Sequence, residues 1–416
     1  MNIAAILVVD GGSLLDEAQV ARAIDDGAAA VPRLRERLRS APFLCGRPYW
    51  SPDDDYDIAR HLGFSRVDSE DALWQLAGDL VCRRLPRDRP LWGAHWVTGL
   101  PADRAALVLV AHHVLADGIG GLAVLAAITD ATSGLTRPHP LPTSTTHSRR
   151  ALAAEAWRSR LAAVASMPSL VARARSARAG MRDLGLRGTR PRLCPSTSFN
   201  QPTGPHRRLS LVEVPADTVI RAAHRRGVTV NDIVLTAVAE AMGATLAERD
   251  EHVDSLVLSV PYSARSSAQA TALGNETGVV PFRIPLDVDV HARLEAVARL
   301  SRDQRSRPRA ASAAPLGVAF RGLAGLGALQ WFVNHQRLVN SFVTNVRGPA
   351  TPWQFCGCTV SRLVPIAVTP GNVAVTFDVL SYAGTLGITV VTDPEVVPDD
   401  TPLIAHLRAG LASLVR

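Results

Sequence analysis

The sequence predicts an α/β protein built in two domains, and three observations carry that expectation. In the first third, strand-like apolar runs (residues 3–9 and 105–111) alternate with stretches of helical periodicity (15–30 and 70–83), the pattern of a layered α/β architecture. The chain has 416 residues, more than one hydrophobic core usually spans. Between residues 136 and 207 the regular patterning lapses. The run TRPHPLPTSTTHSRR at 136–150 is rich in Pro, Ser and Thr, and an arginine-loaded helical stretch follows it to 182. The expected organisation is a first domain over 1–135, a linker over 136–207 and a second domain over 208–416.

Each element follows from local sequence. Met1 to Val9 is apolar but has no basic leading region, and Asp10-Gly11-Gly12 interrupts it, so it reads as a first strand rather than a signal peptide. The second domain opens on the strand-like LSLVEVP after Arg208, then a helix from Ala216 to Arg226 closed by Gly227. Further strand-like runs fall at 255–260, 278–285, 373–380 and 386–392. The longest apolar stretch, Leu316 to Val333, contains Arg321 and four glycines and reads as a core helix rather than a membrane span.

Composition narrows the function classes. The formal net charge is +7 and no lysine occurs, so all 45 basic side chains are arginines, permanent forked cations suited to phosphate. Acidic partners are thus expected among nucleic acids, anionic lipid headgroups or cofactor phosphates. No helix-turn-helix, RNA-recognition or zinc pattern supports nucleic acid. The arginines at 149–182 suit peripheral contact with an anionic membrane or lipid droplet, or else a solvated linker face. Five cysteines without a CxxC pair disfavour a disulfide framework and a zinc ribbon, which fits a reducing cytoplasm.

The chemistry concentrates in AALVLVAHH at 105–113, followed by Val-Leu-Ala-Asp117-Gly118. Successive strand side chains point to opposite faces, so His112 and His113 cannot readily share one metal ion. A single imidazole acting as general base on an alcohol fits better, with Asp117 fixing the turn through its carboxylate. Thr229-Val-Asn231-Asp232 opens an apolar run to Ala241, where one polar residue caps the helix and the other is left free. Ser341 to Pro349 ends a strand in a Gly-Pro turn that exposes Thr344 and Asn345. No GxSxG elbow occurs, so a covalent acyl-enzyme on serine has no local support.

Taken in order, these runs resemble the bacterial wax ester synthase/diacylglycerol acyltransferase family, within the group of CoA-dependent acyltransferases that share an HHxxxDG run. Pro90-Leu91-Trp92 matches a PLW motif, HHVLADG the catalytic run, and Asn231-Asp232 an ND motif. Phe199-Asn200 with Gly204-Pro205 and Arg207-Arg208 resembles the entry to the second domain. Gly274-Asn275-Glu-Thr-Gly278, Asn345-Val-Arg-Gly348-Pro349 and Ser381-Tyr382-Ala-Gly384 resemble three further signatures.

The resemblance implies two chloramphenicol-acetyltransferase-like α/β domains, each a mixed sheet with packed helices, and a tunnel between them. It implies acyl-CoA as substrate rather than as a resident cofactor, an alcohol acceptor, no metal and a cytoplasmic setting. The candidate catalytic residues are His113, as base, with His112, Asp117, Asn231 and Asp232. The candidate substrate-binding residues are Gly118, Pro90, Leu91, Trp92, Asn275, Thr344 and Asn345. Two departures stand out: the first strand starts at Met1 without the lid-like leading segment members usually carry, and Arg347 replaces a frequent proline. Both point to a more open mouth and a more polar acceptor. The same run would also serve a condensation-type acyltransferase using a carrier-protein thioester, and the fold a non-catalytic lipid-droplet protein.

Overall fold

The computed structural model describes residues 1–40, 48–115, 118–130, 157–158, 193–263, 277–306, 327–367 and 369–416. Of the candidate site residues, Asp117 and Asn275 lie outside these ranges, as does nearly all of the arginine-rich segment 149–182.

The first half contributes β1 (Asn2–Val9), α1 (Glu17–Ala30), the hairpin β2 (Glu36–Arg39) and β3 (Tyr49–Pro52), β4 (Leu62–Arg66), α2 (Glu70–Cys82), β5 (Trp92–Leu100), β6 (Arg104–His112) and α3 (Gly118–Ile128). The second half contributes β7 (Arg208–Pro215), α4 (Ala216–Arg225), α5 (Val230–Ala247), β8 (Ser255–Ser263), β9 (Thr277–Pro285), α6 (Val290–Ser306), α7 (Leu329–Asn334), β10 (Ser341–Arg347), β11 (Gln354–Phe355), β12 (Cys358–Ile366), β13 (Val375–Tyr382), β14 (Thr385–Thr392) and α8 (Thr401–Val415).

Two six-stranded sheets organise the molecule, in the orders β11-β12-β1-β6-β5-β4 and β7-β14-β13-β10-β8-β9. The first differs from the expected partition in one respect. Strand β12, from within 208–416, crosses over to pair with β1 in the register Ala4↔Ile366 to Val8↔Arg362, and carries β11 on its other edge. Tyr382 of the second sheet fastens this crossover, accepting from the Trp353 N–H (2.8 Å) and donating to the Val360 carbonyl (2.7 Å). The SYAG run is therefore a structural joint. Ala383 (φ 47°) and Gly384 (φ 83°) form the two-residue turn between β13 and β14, whose paired positive φ angles match the right-handed strand twist.

Alternation along β1 and β6 builds a core on each face of the first sheet. Leu7, Val9, Leu107 and Leu109 pack with Ile24 of α1 and Leu125 of α3. A capping box between Asp16 and Gln19 starts α1. Gly27 lets that helix cross α3 closely, because a Cβ there would stand 2.6 Å from the Ile128 Cα. On the other face Ile6, Val8, Ala106 and Val108 meet α2 together with Leu209 and Val391 of the second sheet, a core that joins the two halves.

The second core surrounds α5, fully buried at Ile233, Leu235, Val238 and Met242, with Leu407 and Leu411 of α8 against it. Each such side chain contributes about 1.5–3 kcal/mol on burial. Among the described residues α5 is the one helix long and apolar enough to cross a membrane, and 67% of it is buried inside the chain's own core. The expected core helix at 316–333 is described only at its end, where Trp331 of α7 is 66% exposed and therefore not core.

Candidate active site

Strand β6 ends at His112, paired with Asn2, and the chain then turns toward α3. His113 lies in that turn, half-buried, its N–H donating to the Met1 carbonyl at 3.0 Å. The Leu115 N–H closes the turn onto the His112 carbonyl (2.8 Å), and the Val114 N–H donates to His112 Nδ1 (3.2 Å). The terminal amine of Met1 lies 3.1 Å from His112 Nε2, so both ring nitrogens are engaged and this imidazole braces the turn in which its neighbour sits. Gly118 opens α3 immediately beyond.

Burial, then the terminal ammonium, Arg87 and His113, hold the His112 imidazole down at about 4 against an ordinary 6.5. Between those values the unfolded chain binds a proton that the folded one refuses. This contribution to stability is fully present above the unfolded value and is lost as pH falls toward 4. The His112 ring resonances are therefore expected to stay flat in an NMR titration from pH 8 to about 5. A midpoint near 6.5 would contradict the assignment.

The PLW run, expected to meet substrate, is buried. Pro90 is buried, Leu91 is 4% and Trp92 2% exposed. The Trp92 indole donates to the Leu34 carbonyl at 2.7 Å and stacks on His61 at 4.5 Å. Its contribution to the site is indirect, since the Leu91 carbonyl accepts from the His112 N–H (2.9 Å) and so holds the end of β6.

The ND pair divides. Thr229, not Asn231 or Asp232, is the cap of α5, and Asp232 completes a reciprocal capping box with it. Asp232 is 1% exposed, and its carboxylate accepts from the Thr229 N–H (2.8 Å) and from the Ser301 hydroxyl (2.5 Å). Both oxygens accept hydrogen bonds, which fix the start of α5 and tie it to α6. Asp232→Ala should cost roughly 1–3 kcal/mol, seen as a lower Tm in calorimetry, with activity per folded molecule nearly retained. An unchanged Tm with lost turnover would favour the chemical role.

Asn231 faces a different neighbour. Its Oδ1 accepts from Asn345 Nδ2 at 3.2 Å across 114 residues of sequence, bringing two candidate site residues together. Beside Asn345 on β10, the Thr344 hydroxyl donates to Asp378 Oδ1 (2.9 Å), while Asp378 Oδ2 accepts from the Ala367 N–H (2.6 Å). Asp378 is 1% exposed and belongs to no motif singled out in the sequence. Burial raises its carboxyl to about 6, partly opposed by those two hydrogen bonds. Gly348 closes this region, because a Cβ there would stand 2.5 Å from the Ser381 carbonyl oxygen.

Strand register connects these groups. Ala367 follows Ile366, which pairs with Ala4, while Asn2 of the same strand pairs with His112. Two strand spacings, about 10 Å, therefore separate the end of β6 from the strand end that Asp378 holds. Thr344 thus stands on the Asp378–Ala367 side of the seam, while Asn345, next along β10, points to the opposite face, where it meets Asn231. A small cleft lined by Glu213, Arg362 and Tyr382 lies toward the other end of β1, where Arg362 pairs with Val8, and it is not near the histidines.

Two six-stranded mixed sheets joined by a crossover strand, with the His112–His113 turn at the end of β6, define a chloramphenicol-acetyltransferase-like two-domain fold. The wax ester synthase/diacylglycerol acyltransferase from Marinobacter aquaeolei superposes with a TM-score of 0.67 at 19% identity, over 100% of this chain and 94% of that one. The first condensation domain of the calcium-dependent antibiotic synthetase superposes at 0.64 and 19% identity, over 100% of this chain and 91% of that one.

The chain belongs to the wax ester synthase/diacylglycerol acyltransferase family: the model of its catalytic domain matches residues 1–234 and that of its C-terminal domain residues 273–415. The probable diacylglycerol O-acyltransferase tgs1 of Mycobacterium tuberculosis H37Rv is 29% identical over 432 residues, covering 100% of this chain and 91% of that protein. The protein is an O-acyltransferase.

Proposed function

We propose that the chain transfers a fatty acyl group from acyl-CoA to diacylglycerol or a long-chain fatty alcohol, giving triacylglycerol or wax ester, with His113 as general base. The observation that carries this reading is the placement of His113. It stands half-buried in the turn after β6, its N–H held by the Met1 carbonyl and its turn braced by His112, within the stretch that the family's catalytic-domain model covers.

In the proposed step His113 takes the hydroxyl proton as the acceptor oxygen attacks the thioester carbonyl. The carbon–sulfur bond then breaks, and the imidazolium returns the proton to the departing thiolate, leaving ester and free thiol. An alcohol is far less acidic than imidazolium, so proton removal accompanies attack rather than preceding it. Asn231 and Asn345, hydrogen-bonded to each other, supply neutral amide groups suited to hold a substrate hydroxyl or a developing oxyanion. Asp117 would fix the turn ahead of α3. The reaction belongs in the cytoplasm, at the inner face of a membrane where water-poor acceptors gather. Contact there would be peripheral.

Arg347 at the exposed end of β10 places a cation where the resemblance expects a proline, so diacylglycerol should be a measurable but modest acceptor. The test compares kcat/KM for diacylglycerol, hexadecanol and short polar alcohols with palmitoyl-CoA. Comparable values, or a preference for a polar alcohol, support the open mouth. A hundredfold preference for diacylglycerol would show a closed apolar site. Turnover with a carrier-protein thioester alone would transfer the chain to the condensation-type reading.

A further inference from the structure

The loop between α2 and β5 reads Arg83-Arg84-Leu-Pro-Arg87-Asp88-Arg89-Pro90, four arginines against one acid. It is clamped along its length. Asn2 Nδ2 donates to the carbonyls of Val81 (3.0 Å) and Arg83 (2.6 Å), Arg37 to the Asp88 carbonyl (3.3 Å), and Arg89 to the Arg60 carbonyl (2.8 Å). The loop's acid is already committed, since Asp88 pairs with Arg60 (2.8 Å) and Arg89 (3.2 Å). Arg83, Arg84 and Arg87 are exposed, and no carboxylate among the described residues forms an ion pair with them.

The clamp also fixes where these cations stand. Asn2 pairs with His112 in the sheet register, and the Leu91 carbonyl just past the loop accepts from the His112 N–H. The loop thus rims the sheet end that carries the histidine turn, and the charge of Arg87 is near enough to disfavour protonation of His112. Three permanent cations cannot move the proton of acyl transfer. Their forked N–H groups, held on a fixed backbone with no counter-ion among the described residues, match phosphate oxygens.

We infer that Arg83, Arg84 and Arg87 bind the phosphate groups of the acyl donor, selecting a free nucleotide thioester of the CoA type whose acyl end reaches His113. This rests on the acyl-transfer reading of His113 for its biological meaning, but binding is measurable without turnover. A carrier-bound thioester brings one phosphodiester and a protein surface, and it engages this rim less fully than the adenosine phosphates of CoA.

The experiment titrates CoA and phosphate-free pantetheine into the full chain and into the R83A/R84A/R87A variant by calorimetry, with thermal melts to confirm folding. CoA affinity is expected to fall roughly ten- to a hundredfold, and its salt dependence to flatten, so that the preference for CoA over pantetheine collapses. Unchanged CoA affinity overturns the inference. So does an equal loss for both ligands, which would mean a structural role. If the triple variant fails to fold, the single R87E variant reads the same ratio. Co-sedimentation with phosphatidylglycerol vesicles separates the other source of phosphate: lost vesicle binding with intact CoA binding overturns the assignment. Intact CoA binding in wild type with no ester formed would remove the acyl-transfer reading and leave the phosphate site standing.

Discussion

His113→Ala is expected to lower kcat/KM for ester formation by about 10²–10⁴-fold, the range a positioned general base contributes. The fold should survive, because His113 lies in a turn beyond the last ladder pair of β6 and its N–H bond to Met1 belongs to the backbone. His112→Ala should behave differently. Its Nδ1 accepts the Val114 N–H, so removing it loosens the turn and lowers Tm along with activity. Steady-state kinetics beside thermal melts separates the two. A folded His113→Ala enzyme within a few-fold of wild type would remove His113 from the chemistry.

Asp378→Ala should be the more damaging change to stability, by roughly 2–4 kcal/mol, since it leaves the Ala367 N–H and the Thr344 hydroxyl without their acceptor in a buried seam. The buried hydroxyls of Thr376, two residues earlier, and Thr389, opposite on β14, have no hydrogen-bond partner among the described residues and cannot relieve the loss without rearrangement. Asp378→Asn keeps one oxygen for the Ala367 N–H and gains an amide that can donate to Thr344, so most stability should return.

The pH dependence of this site has the opposite sign to that of His112. A folded carboxyl raised to about 6 binds a proton that the unfolded one, at 3.8, has released. Its contribution is full below the unfolded value and is lost as pH rises through 6. Urea melts between pH 4 and 7 check this: the slope assigned to Asp378 should vanish in the Asn variant. An Ala variant as stable as wild type would show that the seam does not depend on this carboxylate.

The strands that bracket the site were legible because their apolar runs are long and bounded: β1, β6 and β14 fall close to where the pattern placed them, and α4 ends at Gly227 with φ 63°. The crossover was not legible. Cys358–Ile366 alternates like any half-buried strand, and nothing local says that its partner is β1, some 350 residues away. Asp378 was missed for a related reason. In Val-Thr-Phe-Asp-Val the polar positions read as a solvent face, whereas that face of β13 is turned into the seam between the sheets.

Trp92 and Asp232 are fixed by core packing and helix capping, which short-range sequence does not distinguish from substrate contact. The Asn231–Asn345 contact joins two motifs whose proximity depends on the whole topology.

The central claim is direct transfer from a soluble thioester to an alcohol, and rapid-quench kinetics with radiolabelled palmitoyl-CoA and hexadecanol tests it most directly. Ester and free CoA should appear one for one from the first turnover, with no label retained on the protein. Label accumulating on the chain before ester forms, or no ester until a phosphopantetheinylated carrier protein replaces CoA, would contradict it.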